Sequence, residues 1–407
     1  MRPVDEQLER ILAAAVRPSP VRVAIAEAQG LLCAEDVVAE RALPGFDQAA
    51  VDGYAVRSVD VKQAAEEPVV LPVVGEIPAG SRQPHRLQPG QAVRVATGAP
   101  LPTLADAVVP LGYTDEHPAK VTIHRPVPSA AFVRRTGEDV QTGDVAVRSG
   151  SPIGPAQVGL LAAVGRDRVL VHPRPRVTIL SVGDELVDVD RTPGPGQVYD
   201  VNSYALAAAA RDAGAEVTRV GIVSGDLRRL REVVESRLYS SEVVVIAGGT
   251  GGAAGDEVRD ALSALGPVDD TRVAMHPGSV QGFGQLGPNK VPTFLLPGNP
   301  ISALVVFEVM VRPLIRVALG KKDPYRRIVR ARLLSPVTST KGRRGYLRGQ
   351  LLRDTETGEY LVQPLGTAGA HLLTSLAEAN CLVVVDEDVT DVPAGEDVQV
   401  SFLAQRS

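Results

Sequence analysis

Three stretches of this 407-residue chain pass from an apolar, β-rich run into a loop of glycine, acid or asparagine. Arg176–Glu185 reads RVTILSVGDE and ends in glycine and two acids. Glu242–Asp256 reads EVVVIAGGTGGAAGD and ends in a Gly-rich loop and an acid. Thr293–Ala303 reads TFLLPGNPISA and runs through Pro297-Gly298-Asn299-Pro300 into a helical pattern. Strand ends of this kind gather at the carboxyl edge of a parallel sheet, where ligands bind. The residue types point to a phosphate-bearing or anionic small molecule.

Within Gly248-Gly249-Thr250-Gly251-Gly252-Ala253-Ala254-Gly255, glycines would let backbone N–H groups approach an anion ahead of a helix N-terminus. The loop contains a G-x-G-x-x-A match, but that dinucleotide fingerprint belongs after the first strand of its unit, and a Walker lysine is absent. Asp256 stands where it could face a metal or phosphate, and equally where an N-cap is expected. Asp226, opening the next predicted helix upstream, admits the same two readings. Asp184 and Glu185 follow a strand directly; acids so placed ligate magnesium, orient a nucleophile or simply face solvent. Three strand ends that each bring an acid to one crevice favour the metal reading jointly more than singly.

Four further clusters carry both a plain and a functional reading. Asp52-Gly53, inside FDQAAVDGYA, is a turn sequence that also presents an acid. Thr97-Gly98-Ala99-Pro100 is a turn whose hydroxyl and N–H could hold an anion. Arg134 and Arg135, just before Thr136-Gly137-Glu138-Asp139, could fork onto phosphate or form a charged surface turn. Gly342-Arg343-Arg344-Gly345 with Arg348 forms a basic cluster that is either solvated or anion-binding.

The elements that must position these groups separate by texture. Val4, Leu8, Ile11 and Leu12 have amphipathic-helix spacing. Residues 44–141 are rich in Val, Pro and Gly, with short alternating runs that read as a small β module. A helical segment follows around Pro155–Val164, and Pro173-Arg174-Pro175 marks a boundary. Strand and helix then alternate. Strands are predicted at 177–182, 216–223, 243–247 and 293–296, and helices at 204–213 (capped by Asn202, stopped by Gly214), 227–238 and 301–317. A further helix carries Val258, Ala261, Leu262 and Leu265 on one face. That alternation predicts a doubly wound α/β domain. After Pro324 the texture is β again, at 327–334, 346–352, 360–364 and 381–385.

Composition excludes several classes. The net charge of −5 argues against a general nucleic-acid binder, and aromatic content of 3% without tryptophan argues against base-stacking platforms. Cys33 and Cys381 make neither a metal spacing nor a disulfide framework, which fits a reducing compartment. Six scattered histidines make a His-ligated zinc site improbable. No targeting segment is expected, and no apolar run approaches the roughly 18–20 residues of a membrane span. The expectation is a cytoplasmic protein acting on a small molecule, with neither nucleic acid nor membrane as partner.

Together these segments resemble the molybdopterin molybdenumtransferase family (MoeA), which includes the C-terminal domain of gephyrin. The resemblance covers nearly the whole chain in order: PGFDQAAVDGYAVR (44–57), GEIPAG (75–80), RVATGAPLP (94–102), RRTGEDV (134–140), SVGDEL (181–186), the Gly-rich loop and LLPGNPISA. It implies a multidomain α/β plus β fold. Residues 1–43 and 142–172 would form a linker and dimerisation domain, and 44–141 a β-rich lid. Residues 173–324 would form a MogA-like molybdopterin-binding α/β domain, and 325–407 a small β-barrel-like domain. It further implies an elongated homodimer with its active site between the α/β domain of one subunit and the lid of the other.

The implied reaction takes adenylylated molybdopterin and molybdate, uses a divalent metal, usually Mg2+, and releases AMP. By motif position the resemblance assigns catalysis to Asp52, Glu185, Asp226 and Asp256, the last three as metal ligands. Substrate binding falls to Thr97, Asp139, Gly248, Gly249, Thr250, Gly251, His276, Pro297, Gly298, Asn299, Pro300 and Arg348. A molybdopterin adenylyltransferase and apo-molybdoenzymes are the protein partners it suggests.

The chain departs from the family pattern at specific places. Thr250-Gly251 stand where Val-Ser is usual, and His276 replaces the lysine before Pro277-Gly278. Ala370 replaces a serine, Gly112 an acid, and Gly225-Asp226 an acid pair. An unperturbed imidazole is mostly neutral at pH 7, so His276 lacks the fixed charge of lysine. Three functions therefore compete: an active transferase, a weakened paralogue that binds molybdopterin or the cofactor as a scaffold, and molybdopterin adenylylation. The lost lysine and serine favour the second, and the three retained acids oppose it. The flanking β regions and PGFDQAAVDGYA oppose the third.

Overall fold

Apolar runs without alternation are buried on both faces, and Val243–Ala247 is the plainest case: all five residues are buried. They lie at the centre of a six-stranded sheet in a computed structural model. The structure describes every residue except 83–85, 224–225, 367–372 and 404–407, with the side chains of Ala253 and Ala254 also outside it. The chain divides into two compact units, Met1–Pro20 with His172–Ser407, and Val21–Val171.

In the first unit the chain order is β1 (Arg176–Val182), α1 (Asn202–Ala213), β2 (Glu216–Val223), α2 (Leu227–Leu238), β3 (Val243–Ala247), α3 (Gly252–Ser263), β4 (Val268–Asp269), β5 (Gly282–Leu286), β6 (Val291–Leu296) and α4 (Pro300–Val306). The sheet order is β2-β1-β3-β6-β5-β4. β2, β1, β3 and β6 are parallel; β5 and β4 are antiparallel additions. Register pairs Ser181 with Ala247, and Ala247 with Leu296, so three strand ends finish side by side. Because β1 feeds β2 on one side and β3 lies on the other, the switch point falls between the ends of β1 and β3.

Each face of the sheet has its own core. Leu206 and Ala210 of α1, with Phe307, Met310 and Leu314, cover one side. Leu230 and Val234 of α2, with Val258 and Leu262 of α3, cover the other. The helical run that begins with α4 widens to a π-turn at Phe307–Val311 before Arg312–Ala318. Pro313 has no N–H to return to the carbonyl one turn back, and such local rewinding accommodates the loss.

The C-terminal strands are β7 (Ile328–Leu333), β8 (Arg344–Arg353), β9 (Tyr360–Pro364), β10 (Cys381–Val385) and β11 (Asp397–Phe402). Their order β8-β9-β7-β11-β10 closes by a β8–β10 pairing into a five-stranded barrel. A two-residue strand, Met275–His276, pairs with β8 at Arg344 and Gly345, which fixes His276 to the barrel's edge.

The unit Val21–Val171 holds a three-stranded sheet with helix Pro155–Ala163 packed on it, around Cys33, Leu161 and Val169. It also holds a five-stranded sheet built from Gly53–Val56, Val69–Ile77, Ala92–Val95, Ala107–Pro110 and Lys120–Ile123.

The expected doubly wound α/β domain with β-rich companions is what the chain forms. The two compact units do not resolve the four expected regions, and they group the N-terminus differently. The first twenty residues belong with the α/β and barrel unit, not with the linker region. The reason is the stripe of helix Val4–Ala13: Val4 and Ile11 are fully buried in the core containing Val177, Leu206 and Phe307. Antiparallel β4 and β5 and the last strand β11 were not anticipated; β5 contains Gly282 and Gly284, which weaken any strand signal.

The boundary shift is testable. Ile11→Ala should cost about 2–4 kcal/mol, the usual loss for a large-to-small core change. It should lower hydrogen-exchange protection in β3 and β6; unchanged protection there would place the helix elsewhere.

Candidate active site

The three strand ends meet the expectation of a common edge, and hydrogen bonds tie them together. Gly248 N–H donates to the Leu296 carbonyl at 3.0 Å. The Thr250 hydroxyl donates to the same carbonyl at 3.4 Å, so it faces the sheet. A Cβ on Gly248, whose φ is +90°, would stand 2.2 Å from the Val182 carbonyl oxygen, and one on Gly249 2.6 Å from Val258 Cγ2. Part of the glycine run is therefore demanded by close packing of β3's end against β1 and α3. Gly251 and Gly252 also have positive φ and lead into α3.

The Pro297–Pro300 turn is braced from two sides. Asn299 caps α4, its Oδ1 accepting from Ser302 N at 3.1 Å and Ser302 Oγ at 3.3 Å. Pro300 takes the first helical position, where its missing N–H costs nothing. The Gly298 carbonyl accepts from Asn202 Nδ2 at 2.8 Å. Asn202 is thus the first residue of α1, not its cap. The capping contact comes from buried Asp200, which accepts from Ser203 N at 3.0 Å and Ser181 Oγ at 2.8 Å, and from the Ser203 hydroxyl.

The acids separate. Asp226 is the N-cap of α2, accepting from Arg228 N at 3.0 Å and Arg229 N at 3.4 Å. Asp256 is not a cap: α3 begins earlier, at Gly252, and Asp256 sits a turn inside it, ion-paired with Arg259 at 3.1 Å. Glu185 is exposed on the loop after β1 and folds back over Gly183. Among the described residues no group of three or more His, Cys, Asp or Glu side chains could hold a metal ion. A three-acid magnesium cage of Glu185, Asp226 and Asp256 does not fit this arrangement.

On the other side of the turn lies a pocket of about 450 Å³, lined by His276, Pro297, Asn299, Ser302, Arg343, Tyr346 and Arg348 among others. Its charge is positive. Arg348 is only 8% exposed, and burial lowers its pKa, though a guanidinium stays charged. Burial, and then the charge of Arg343, push the His276 imidazole below its ordinary value. The basic cluster therefore divides. Arg343 turns to the pocket, whereas Arg344 is paired with Asp5 at 2.8 Å and Glu387 at 3.0 Å. Ala370 and Gly225 lie outside the described residues.

In the unit Val21–Val171, Asp52 Oδ1 accepts from Thr97 N at 2.6 Å and Thr97 Oγ1 at 2.8 Å. Those bonds, with the backbone one foremost, hold its pKa below the usual carboxylate range. The two donors expected to cradle an anion at Thr97 are thus both engaged by Asp52. Asp47 clamps Thr136 in the same way and pairs with Arg135 at 2.6 Å, which removes Arg135 from the expected phosphate fork. Asp139 is exposed, its N–H donating to the Leu43 carbonyl at 3.0 Å. Asp52 leads straight into a strand; a Cβ on Gly53 would meet the Val109 carbonyl at 2.1 Å.

Sequence reasoning missed the roles of Asp200, Asn202 and Ser302. The signal was present in Asp200-Val201-Asn202-Ser203 at a helix start, read there as one cap. His276 yields a prediction. At pH 7 its depressed pKa leaves the ring neutral, so acidification adds a third positive charge to the pocket. Affinity for a tetrahedral oxyanion should rise as the pH falls through the depressed His276 pKa. His276→Gln should flatten that slope, measured by calorimetry with molybdate or sulfate; an unchanged slope would assign it to another group.

Three family profiles match the chain in order: the MoeA N-terminal region (domain I and II) over residues 2–165, a probable molybdopterin binding domain over 178–317, and the MoeA C-terminal region (domain IV) over 330–403. Molybdopterin molybdenumtransferase 1 of Mycobacterium tuberculosis is 65% identical, over 100% of both chains. Molybdopterin molybdenumtransferase 2 of the same organism is 40% identical over 98% of this chain and 99% of its own. A crystal structure of a molybdopterin biosynthesis MoeA protein from Pyrococcus horikoshii superposes with TM-score 0.83 at 33% identity, covering 99% of each chain. With three profiles in sequence and a full-length relative at this identity, the chain belongs to the molybdopterin molybdenumtransferase (MoeA) family.

Proposed function

We propose that this chain inserts molybdenum from molybdate into adenylylated molybdopterin with release of AMP, a step of molybdenum cofactor biosynthesis. The observation that carries it is a shared wall. Pro297 and Asn299 line the cationic pocket, while Gly298 belongs to the strand-end edge that also carries Glu185 and the Gly-rich loop. An oxyanion held by Arg343 and Arg348 and a pterin nucleotide lying along the edge would therefore meet at one turn. Guanidinium groups suit an oxyanion because their planar donors and permanent charge need no proton from solvent, and that of Arg348 is buried.

The chain's own residues have distinct tasks in this reading. Arg348 and Arg343 offset the charge of molybdate, and His276 adds a donor. The Gly-rich loop offers backbone N–H groups to the phosphates at the start of α3. Asp52, Thr97 and Asp139 would shape the β module's contribution through the loop that the Asp52–Thr97 clamp holds. Glu185 is the acid of the proposed metal set whose carboxylate makes no cap or ion pair among the described residues. Magnesium commonly uses one or two carboxylates together with substrate phosphates. The metal proposal accordingly narrows to Glu185 with the nucleotide's phosphates, in place of a three-acid cage.

A homodimer is likewise a proposal, readable from molar mass in solution, as are contacts with a molybdopterin adenylyltransferase and apo-molybdoenzymes. No helix among the described residues is long and apolar enough to cross a membrane, and a cytoplasmic location is part of the proposal. Beyond the replaced lysine and serine, nothing in the described residues or the relatives favours the scaffold reading.

The test supplies purified protein with adenylylated molybdopterin, magnesium and molybdate, and follows AMP release and reconstitution of an apo-molybdoenzyme. Molybdate-dependent AMP release with a competent product is expected. Arg348→Ala should lower the rate about 10–100-fold by removing a charged, buried contact. Tight pterin binding without AMP release would sink the transferase reading.

A further inference from the structure

Val280 stands where two surfaces suited to anions meet. It is half-buried and lines the cationic pocket together with His276, Arg343 and Arg348. Its other neighbour is the Gly-rich loop, for a Cβ on Gly251 would lie 3.4 Å from Val280 Cγ1. The segment that carries it is braced. The Val273 N–H donates to the Ser279 carbonyl at 3.0 Å, and buried Gln281 donates through Nε2 to the Gly278 carbonyl at 2.8 Å. The strand just before it, Met275–His276, is paired to β8. Val280 is therefore held in place between the loop and the arginines. Ile301 and Val337, each 7% exposed, add apolar surface to the same pocket.

The pocket is larger than an oxyanion needs. It holds about 450 Å³, whereas a tetrahedral oxyanion fills the space of a few waters, each about 30 Å³ in the liquid. The order of groups along the surface says what else enters. The Gly-rich loop suits phosphate, Val280 comes next, and the guanidinium groups of Arg343 and Arg348 suit molybdate. Adenylylated molybdopterin has the same order, since a short carbon segment joins its phosphates to the dithiolene that receives molybdenum. Dithiolene sulfur is polarizable and a weak hydrogen-bond acceptor, so it gains from contact with an apolar side chain. A phosphate or an oxyanion would gain nothing there. Resting on the transferase reading, we propose that Val280 is a specificity-determining contact that packs against the dithiolene end of adenylylated molybdopterin. It lays that end between the Gly-rich loop and the arginines.

Two variants separate an apolar contact from mere shape. Val280→Thr keeps the shape and exchanges a methyl for a hydroxyl, and Val280→Ile keeps the side chain apolar. Dissociation constants would be measured for adenylylated molybdopterin, for ADP and for molybdate, alongside melting temperatures. ADP carries the adenosine and the phosphates without the dithiolene. The Thr variant should bind adenylylated molybdopterin about fivefold or more weakly, the effect of setting a hydroxyl against an apolar group. It should bind ADP and molybdate as the wild type does, at an unchanged melting temperature. The Ile variant should keep wild-type affinity for all three. Wild-type affinity for adenylylated molybdopterin in the Thr variant, a loss shared equally by ADP or molybdate, or equal losses in the two variants would each overturn the dithiolene contact. Absence of binding of adenylylated molybdopterin by the wild-type protein would instead overturn the transferase reading, and this contact with it.

Discussion

The register of β1, β3 and β6 is the constraint on which the rest depends. Parallel pairing through Ser181, Ala247 and Leu296 brings three chain segments to one line, and each then leaves the sheet by a different loop. Packing there is too close for ordinary side chains, as the 2.2 Å approach of a Gly248 Cβ to the Val182 carbonyl shows. Backbone thus meets backbone at the switch point. A strand slip of one residue would exchange the side chains that face the two cores and scatter the loops. Glu185, the glycines and Pro297–Pro300 are neighbours because the sheet's hydrogen bonds admit one alignment.

A second arrangement follows from charge. The substrates proposed for this chain are anions, and carboxylates at the sheet edge would repel them. The structure keeps the two signs on opposite sides of one turn: Glu185 at the edge, and Arg343 and Arg348 in the pocket formed where the barrel meets the α/β layers. The strand Met275–His276 joins these parts by pairing with β8, so the barrel is fixed relative to the turn through backbone bonds. His276 on that strand trades a permanent charge for one that depends on pH. Asp200 and Asn202 complete the frame, one holding β1's end and the other the turn.

Much of this was legible in the residues. The helix at 227–238, the strands at 216–223 and 243–247 and the convergence of the three loops follow from apolar runs, caps and glycines, which act locally. The site's finer assignments were less legible, because acids and hydroxyls are chemically ambiguous until their neighbours are known. Asp226 reads the same as cap or ligand, and the structure makes it a cap. Asp256 was displaced by a helix that starts earlier than its acid. Thr97 has the donors for an anion, but Asp52, distant in sequence, takes both. The hydrogen bond of Asn202 depends on a turn 96 residues away, which no local pattern reveals.

The meeting of oxyanion and pterin nucleotide at the Pro297–Pro300 turn is the proposal on which the rest of the chemistry hangs. It is tested most directly by a crystal structure of the protein soaked with molybdate, using the anomalous signal of molybdenum. A molybdenum peak is expected in the pocket between Arg343, Arg348 and His276, beside Pro297 and Asn299. A peak among Glu185, Asp226 and Asp256, or at Thr97, with the pocket empty, would contradict it.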